Sequence, residues 1–196
     1  MTTAQDIEQL TQAYLKLFPE EAPNLASLTT HNTHHDEGIF SRKTSPGHLT
    51  AAGYVIARTT QRILLIEHTA LHKFMQPGGH YEQEDENTLQ AAKREVLEET
   101  GLSEDDLHYL PVDPKRMLVP FQIDVHDIPA NPKKGEPAHQ HYDFRYLFMV
   151  DDESEVQLDA RESNAFRWTS LEDFAALEPT YACALQKMHR LKLLDR

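Results

Sequence analysis

The stretch Pro77-Gly78-Gly79-His80-Tyr81-Glu82, continuing to Arg94-Glu95-Val96-Leu97-Glu98-Glu99-Thr100-Gly101-Leu102, decides how this chain is read. Glu98 and Glu99 follow Glu95 by three and four residues, so on a helix the three carboxylates are neighbours. Like charges at that spacing repel, and a helix gains no stability from them. A hard divalent cation such as Mg2+ takes oxygen ligands of this kind and removes the repulsion. The glycine pair ahead of the helix lets backbone come close to a metal or a phosphate. The chemistry these residues suit is metal-assisted attack of water on a phosphoanhydride. The plain alternative for three glutamates is a solvated acidic helix face.

Residues 87–100 read as one helix, with Asn87 as N-cap and Gly101 as the glycine that ends it. Leu89, Ala92 and Val96 give it an apolar face, and the glutamates lie toward its flank and solvent. Upstream, residues 49–58 and 62–68 read as strands joined by a turn, and 74–76 as a short strand entering the glycine loop. Downstream, 107–112, 121–126 and 162–168 read as strands, and 131–137 as a loop. The clearest strand is 139–150: Tyr142, Phe144, Tyr146 and Phe148 share one face, and His139, His141, Asp143 and Arg145 share the other. Ser170 opens a short helix, and Pro179 separates it from a last helix over 180–194. An amphipathic helix over 3–18, with Ile7, Leu10, Tyr14 and Leu17 as its stripe, could cap the domain or mediate pairing, and it precedes a His-rich stretch over 20–48 that reads as irregular with room for one short helix. Strands with a few helices and no regular βαβ rhythm predict an α/β fold: a mixed sheet with helices on both sides.

A chain of 196 residues fits one domain with a short extra lobe. We divide it into residues 1–47, an N-terminal helix with an irregular extension, and residues 48–196, the main domain. The net charge of −13 argues against a nucleic-acid backbone or an anionic membrane as main partner. An anionic small molecule is still accommodated, because a bound cation inverts the local field. A single cysteine, Cys183, excludes an internal disulfide and suits a reducing compartment; it falls on an apolar helix face and is expected in the core. With no apolar run of membrane-spanning length and a polar N-terminus, the expected location is the cytoplasm.

The quoted residues resemble the signature box of the Nudix hydrolases: Gly, five residues, Glu, seven residues, Arg-Glu, an aliphatic, any residue, Glu-Glu, any residue, Gly and an aliphatic. Arg94-Glu95-Val96, Glu98-Glu99 and Gly101-Leu102 fit without a gap, and seven residues before Arg94 stands Glu86. Gly79 to Glu86 spans six residues instead of five, so the extra residue is placed in the acidic loop Glu82-Gln83-Glu84-Asp85. That departure resembles a branch of the family that starts Pro-Gly-Gly-His. The likeness covers about residues 49–168.

The resemblance implies an α/β/α sandwich with a mixed β-sheet, to which the N-terminal helix is an addition. It implies a pyrophosphatase-type hydrolase, dependent on Mg2+ (or Mn2+), that splits a nucleoside diphosphate linked to another moiety. Metal ligands would be Glu95, Glu98, Glu99 and the Gly79 carbonyl. Catalysis would rest on Glu95, Glu98 and Arg94, with an Arg94–Glu86 ion pair steadying the loop. Glu82 is either a distant ligand or loop acid, and Glu162 corresponds to a position where some relatives add an acidic group. From a different class comes a non-catalytic ligand-sensing or protein-binding domain on the same fold. The isoprenoid-isomerase chemistry this fold also hosts needs a pocket cysteine, which Cys183 does not supply. No motif names the substrate; Pro120 matches the proline of ADP-ribose enzymes only loosely.

Four further residues, His139, His141, Asp143 and Arg145, could form a substrate-contacting wall or a polar, solvent-facing strand edge. Two histidines two apart on a strand can also share a metal. His48 and His80 flank the expected site and could touch substrate. His31, His34, His35 and Asp36 have the composition of a metal site. A homodimer is expected if the N-terminal helix buries its apolar stripe against a second copy.

Overall fold

The computed structural model describes residues 2–32, 37–69, 72–132, 135–153, 156–158 and 163–194. Glu162, His34, His35 and Asp36 lie outside them. Eight strands among these residues form one mixed sheet. Its spine is a parallel pair, β1 (Gly47–Ala57) and β7 (His139–Val150), in register along eleven residues from Gly47↔Gln140 to Ala57↔Val150. Outside β1, β4 (Gly78–His80) pairs with its first half and β2 (Arg62–His68) with its last residues, both antiparallel. Outside β7 lie β6 (Gln122–Ile128) and the two-residue β5 (His108–Tyr109). β3 (Lys73–Met75) and β8 (Ser163–Ser170) flank β2 on either side.

Side chains alternate across a strand, so the two central strands feed two cores. Leu49, Ala51, Val55, Tyr142, Phe144, Tyr146 and Phe148 pack with Ala91, Ala92 and Val96 of α3 (Thr88–Thr100). Tyr54, Ile56, Ile63, Leu65 and Leu147 pack on the opposite side with α4 (Leu171–Leu177) and α5 (Pro179–Arg190). The predicted α/β/α sandwich is the observed one. No helix is long and apolar enough to cross a membrane among the described residues.

The termini of α3 follow the sequence. Asn87 Oδ1 accepts from the Gln90 N–H at 2.9 Å, and Gly101 closes the helix in the left-handed region at φ 62°. Replacing Asn87 with Ala is expected to cost about 1 kcal/mol of stability, read by urea unfolding.

The N-terminal segment packs against the rest of the chain. Helix α1 (Ala4–Leu17) starts at a Thr3 capping box, the short α2 (Ala26–His31) follows it, and Ala4, Ile7, Tyr14 and Leu28 join the same core as α3. Leu17, expected in the stripe, is 37% exposed, while Phe18 is buried. The buried Lys187 of α5 donates to Tyr14 Oη at 2.7 Å and pairs with Glu21, with its ammonium 3.7 Å above the Phe18 ring. Charge, hydrogen bonds and cation–π attraction converge there and tie the extension to the far end of the chain. Ile7 and Tyr14 of the stripe are thus buried within the same chain, with Leu10 partly buried and Leu17 exposed. Cys183 is exposed, which corrects its expected core position: Tyr181, Ala184 and Met188 take the inward face of α5.

Candidate active site at the glycine loop and helix α3

On β4, Gly79 turns its Cα toward α3, so close that a Cβ built there would stand 2.6 Å from the Glu95 carboxylate. A side chain there would push the Glu95 carboxylate out of its place. The preceding Gly78 N–H donates to Glu99 Oε2 at 2.7 Å, which ties a second glutamate to the loop. The expectation that all three glutamates lie toward solvent needs correction. Glu95 and Glu99 are buried against the loop, and the Glu98 side chain is 61% exposed.

Arg94 organises the cluster. It donates to Glu95 Oε1 at 2.9 Å, Glu98 Oε2 at 3.1 Å and the His80 carbonyl at 2.9 Å. Its strongest partner is Asp85, gripped through Nε and Nη2 at 3.0 Å each. This corrects the expected Arg94–Glu86 pair. Glu86 is exposed and bonds through its backbone to Gln90 and Thr2, whereas Asp85 is 2% exposed. A tight turn makes the choice: Tyr81 Oη donates to the Asp85 carbonyl, and the Glu82 N–H donates to Asp85 Oδ2 at 2.8 Å. Five residues separate Gly79 from Asp85, so the extra residue of the box lies after the acid, not before it. Burial opposes charge on Arg94, but its bonds to Asp85 and the fields of Glu95 and Asp85 outweigh that and raise its pKa.

One guanidinium thus meets three carboxylates, Asp85, Glu95 and Glu98, and a fourth, Glu99, is held by the Gly78 N–H instead. That excess of negative charge, all on hard oxygen donors, fits a divalent cation of the Mg2+ type. Glu82 is exposed in the loop, its N–H spent on the Asp85 turn.

The other predicted group lies on the opposite face of the sheet. His139, His141, Asp143 and Arg145 do share a face, but β7 has β1 on one side and β5 and β6 on the other, so it is no edge. Asp143 and Arg145 are 5% and 4% exposed. Arg145 donates to Asp143 at 2.6 Å, Asp124 at 2.7 Å and Tyr54 Oη at 3.1 Å. Each of its three nitrogens therefore donates inside the fold. Burial would raise the Asp124 carboxyl, yet hydrogen bonding from His126 and the Arg145 charge bring it down to about 2. Asp124, with an ordinary value of 3.8, thus adds stability that is complete above pH 3.8 and lost as pH falls toward 2. The stability gap between wild type and Asp124→Asn is accordingly expected to narrow from pH 5 to pH 2 in urea titrations.

Nearer the start of β7 the face carries imidazoles. His48, His80, His126, His139 and His141 stack or meet edge-on, with centroids 4.9 to 5.5 Å apart in the closest pairs. Burial lowers the His48 pKa to about 4 and also depresses that of His141. His126 moves the other way: burial opposes its charge, but Asp124 and Asp143 more than offset it. His31 stands apart from this group, against the Tyr142 hydroxyl at 3.1 Å.

Asp85, Asp124, Tyr54 and His126 were not anticipated. Asp124 and His126 had a signal, since they alternate on a strand, but only the β6–β7 register sets them opposite Asp143 and His141. A cleft of about 470 Å³ opens between α1, the start of α3 and residues 116–119, and none of the α3 glutamates lines it.

Comparison with known proteins agrees with this geometry. A family model described as "NUDIX domain" matches residues 47–190. A protein of Lactococcus lactis subsp. cremoris (strain MG1363) named "Probable DHNTP pyrophosphohydrolase" is 36% identical over 97 residues, 50% of this chain and 51% of that protein. The chain therefore spans about half the length of the curated relative it matches. Among solved structures, the E. coli dihydroneopterin triphosphate pyrophosphohydrolase aligns with a TM-score of 0.56 at 17% identity, covering 71% of this chain and 92% of that one. A C. elegans Ap4A hydrolase binary complex aligns with a TM-score of 0.54 at 20% identity, covering 72% and 95%. At such identities the structures speak for the fold.

Proposed function

The chain belongs to the Nudix family, and from that premise we propose that it is a divalent-metal-dependent pyrophosphohydrolase. Its substrate class is a nucleoside diphosphate linked to another moiety, cut by attack of water on the pyrophosphate. The observation that carries this reading is the set of three α3 glutamates held by Arg94 and by the Gly78-Gly79 loop. The name of the Lactococcus relative supports the same reaction class.

Glu95, Glu98 and Glu99, with the Gly79 carbonyl, would hold the cation, Mg2+ or Mn2+. When bound, such an ion neutralises charge on the phosphoryl oxygens and makes water a better nucleophile. The chain's own residues set the stage. Glu99 is fixed by the Gly78 N–H, and Glu95 is clamped between Gly79 and Arg94, so these two carboxylates need little reorganisation. Glu98, open to solvent, meets the incoming substrate and its water. Arg94 acts as a positioning residue, orienting two glutamates while Asp85 holds its other edge.

A panel of nucleoside triphosphates, ADP-ribose, nucleotide sugars, dinucleoside polyphosphates and NADH, each with Mg2+ or Mn2+, tests the proposal. Hydrolysis of one class, abolished by EDTA, supports it and names the substrate. Silence across the panel with metal still bound favours a non-catalytic sensing domain.

A further inference from the structure

The parallel register of β1 and β7 places His48 beside His141. Neighbouring strands lie about 4.8 Å apart, and residues two apart on one strand about 6.7 Å, so His48, His139 and His141 form a triangle on one face. One ring nitrogen from each lies within 4.8 Å of the others. The His48 ring stacks on His139 at 5.0 Å and tilts against His141 at 4.9 Å.

His48 is 2% exposed, and among the described residues neither its Nδ1 nor its Nε2 has a hydrogen-bond partner. A buried imidazole with both nitrogens unmatched is an exception that calls for a cause. His139 adds a second, independent observation: its Nδ1 lies 2.8 Å from the Pro137 carbonyl. A carbonyl can only accept, so Nδ1 carries the proton and Nε2 keeps its lone pair. Metal-ligating histidines are commonly fixed by such a contact.

We propose that His48, His139 and His141 bind one first-row transition-metal ion of the Zn2+ type, at a site separate from the α3 carboxylates. Imidazole nitrogen suits Zn2+ and its neighbours, whereas Mg2+ seeks oxygen. Zn–N bonds of about 2.1 Å in a tetrahedron set ligand atoms about 3.4 Å apart, so binding draws the three rings together by small side-chain rotations. Three protein ligands leave a fourth position for water, a substrate oxygen or His80, whose ring lies 5.2 Å from His48 and 5.4 Å from His141. Strand alternation keeps the two sites apart: Gly79 meets Glu95 on one face of β4, and the His80 ring meets the imidazoles on the other.

Calorimetric titration of Zn2+ into the full chain, in excess Mg2+ to fill the oxygen sites, tests the proposal; Co2+ serves as the spectroscopic probe. One equivalent of Zn2+ is expected to bind wild type and the Glu98→Gln/Glu99→Gln variant alike. Binding is expected to weaken by about 10-fold or more in His139→Ala and His141→Ala. His139, near the start of β7, keeps the test informative should His141→Ala fail to fold. Absence of Zn2+ binding in excess Mg2+, or binding lost with the glutamates and kept in the histidine variants, overturns it.

Discussion

Glu98→Gln is expected to lower kcat by about 10³-fold while leaving the fold intact. The size follows from the several kcal/mol of transition-state charge stabilisation that a correctly held metal supplies, at about 1.4 kcal/mol per tenfold. Glu98 is the informative position because its side chain is 61% exposed, whereas Glu95 and Glu99 are 8% and 5% exposed. Substitution at a buried carboxylate disturbs packing and activity together. At Glu98 the amide still accepts from Arg94, and a surface change of this kind stays within about 0.5 kcal/mol of wild type. Thermal unfolding unchanged alongside a collapsed kcat separates chemistry from folding. A kcat within a factor of three of wild type would remove Glu98 from the machinery.

Arg145→Met is expected to be the most damaging substitution for stability. It leaves Asp143 and Asp124 without the cation that both contact at 2.6 and 2.7 Å. Breaking a buried pair from one side costs about 3–5 kcal/mol, because the remaining charge stays buried. For a chain of this size that lowers Tm by roughly 6–20 °C. Neutralising a partner as well, in Arg145→Met/Asp143→Asn, is expected to recover part of the loss. A Tm equal to wild type would mean that water reaches the network and screens it. The same geometry moves Arg145 from a candidate substrate contact to an internal strut between β6, β7 and the Tyr54 hydroxyl of β1.

The elements that carry the glutamates were legible because they are local. Asn87 and Gly101 bound α3 by capping chemistry, and the alternation of residues 139–150 fixes both the strand and its faces. What stayed hidden depends on contacts between distant segments. Alternation put His139, His141, Asp143 and Arg145 on one face but could not say that two are buried, because depth is set by β1 and β6. Glu86 and Asp85 carry the same carboxylate, and only the turn closed by Tyr81 and the Glu82 N–H decides which one meets Arg94. The partner of α1 was equally out of reach, since Lys187 and Tyr14 are 173 residues apart.

Hydrolysis by water attack is tested by turnover of the panel's best substrate in 18O-labelled water with Mg2+, in wild type and in Glu98→Gln. Label is expected in a phosphoryl product, dependent on the metal and lost in the variant. Tight metal binding with no labelled product from any substrate would contradict it, and would leave a Nudix fold that binds without hydrolysing.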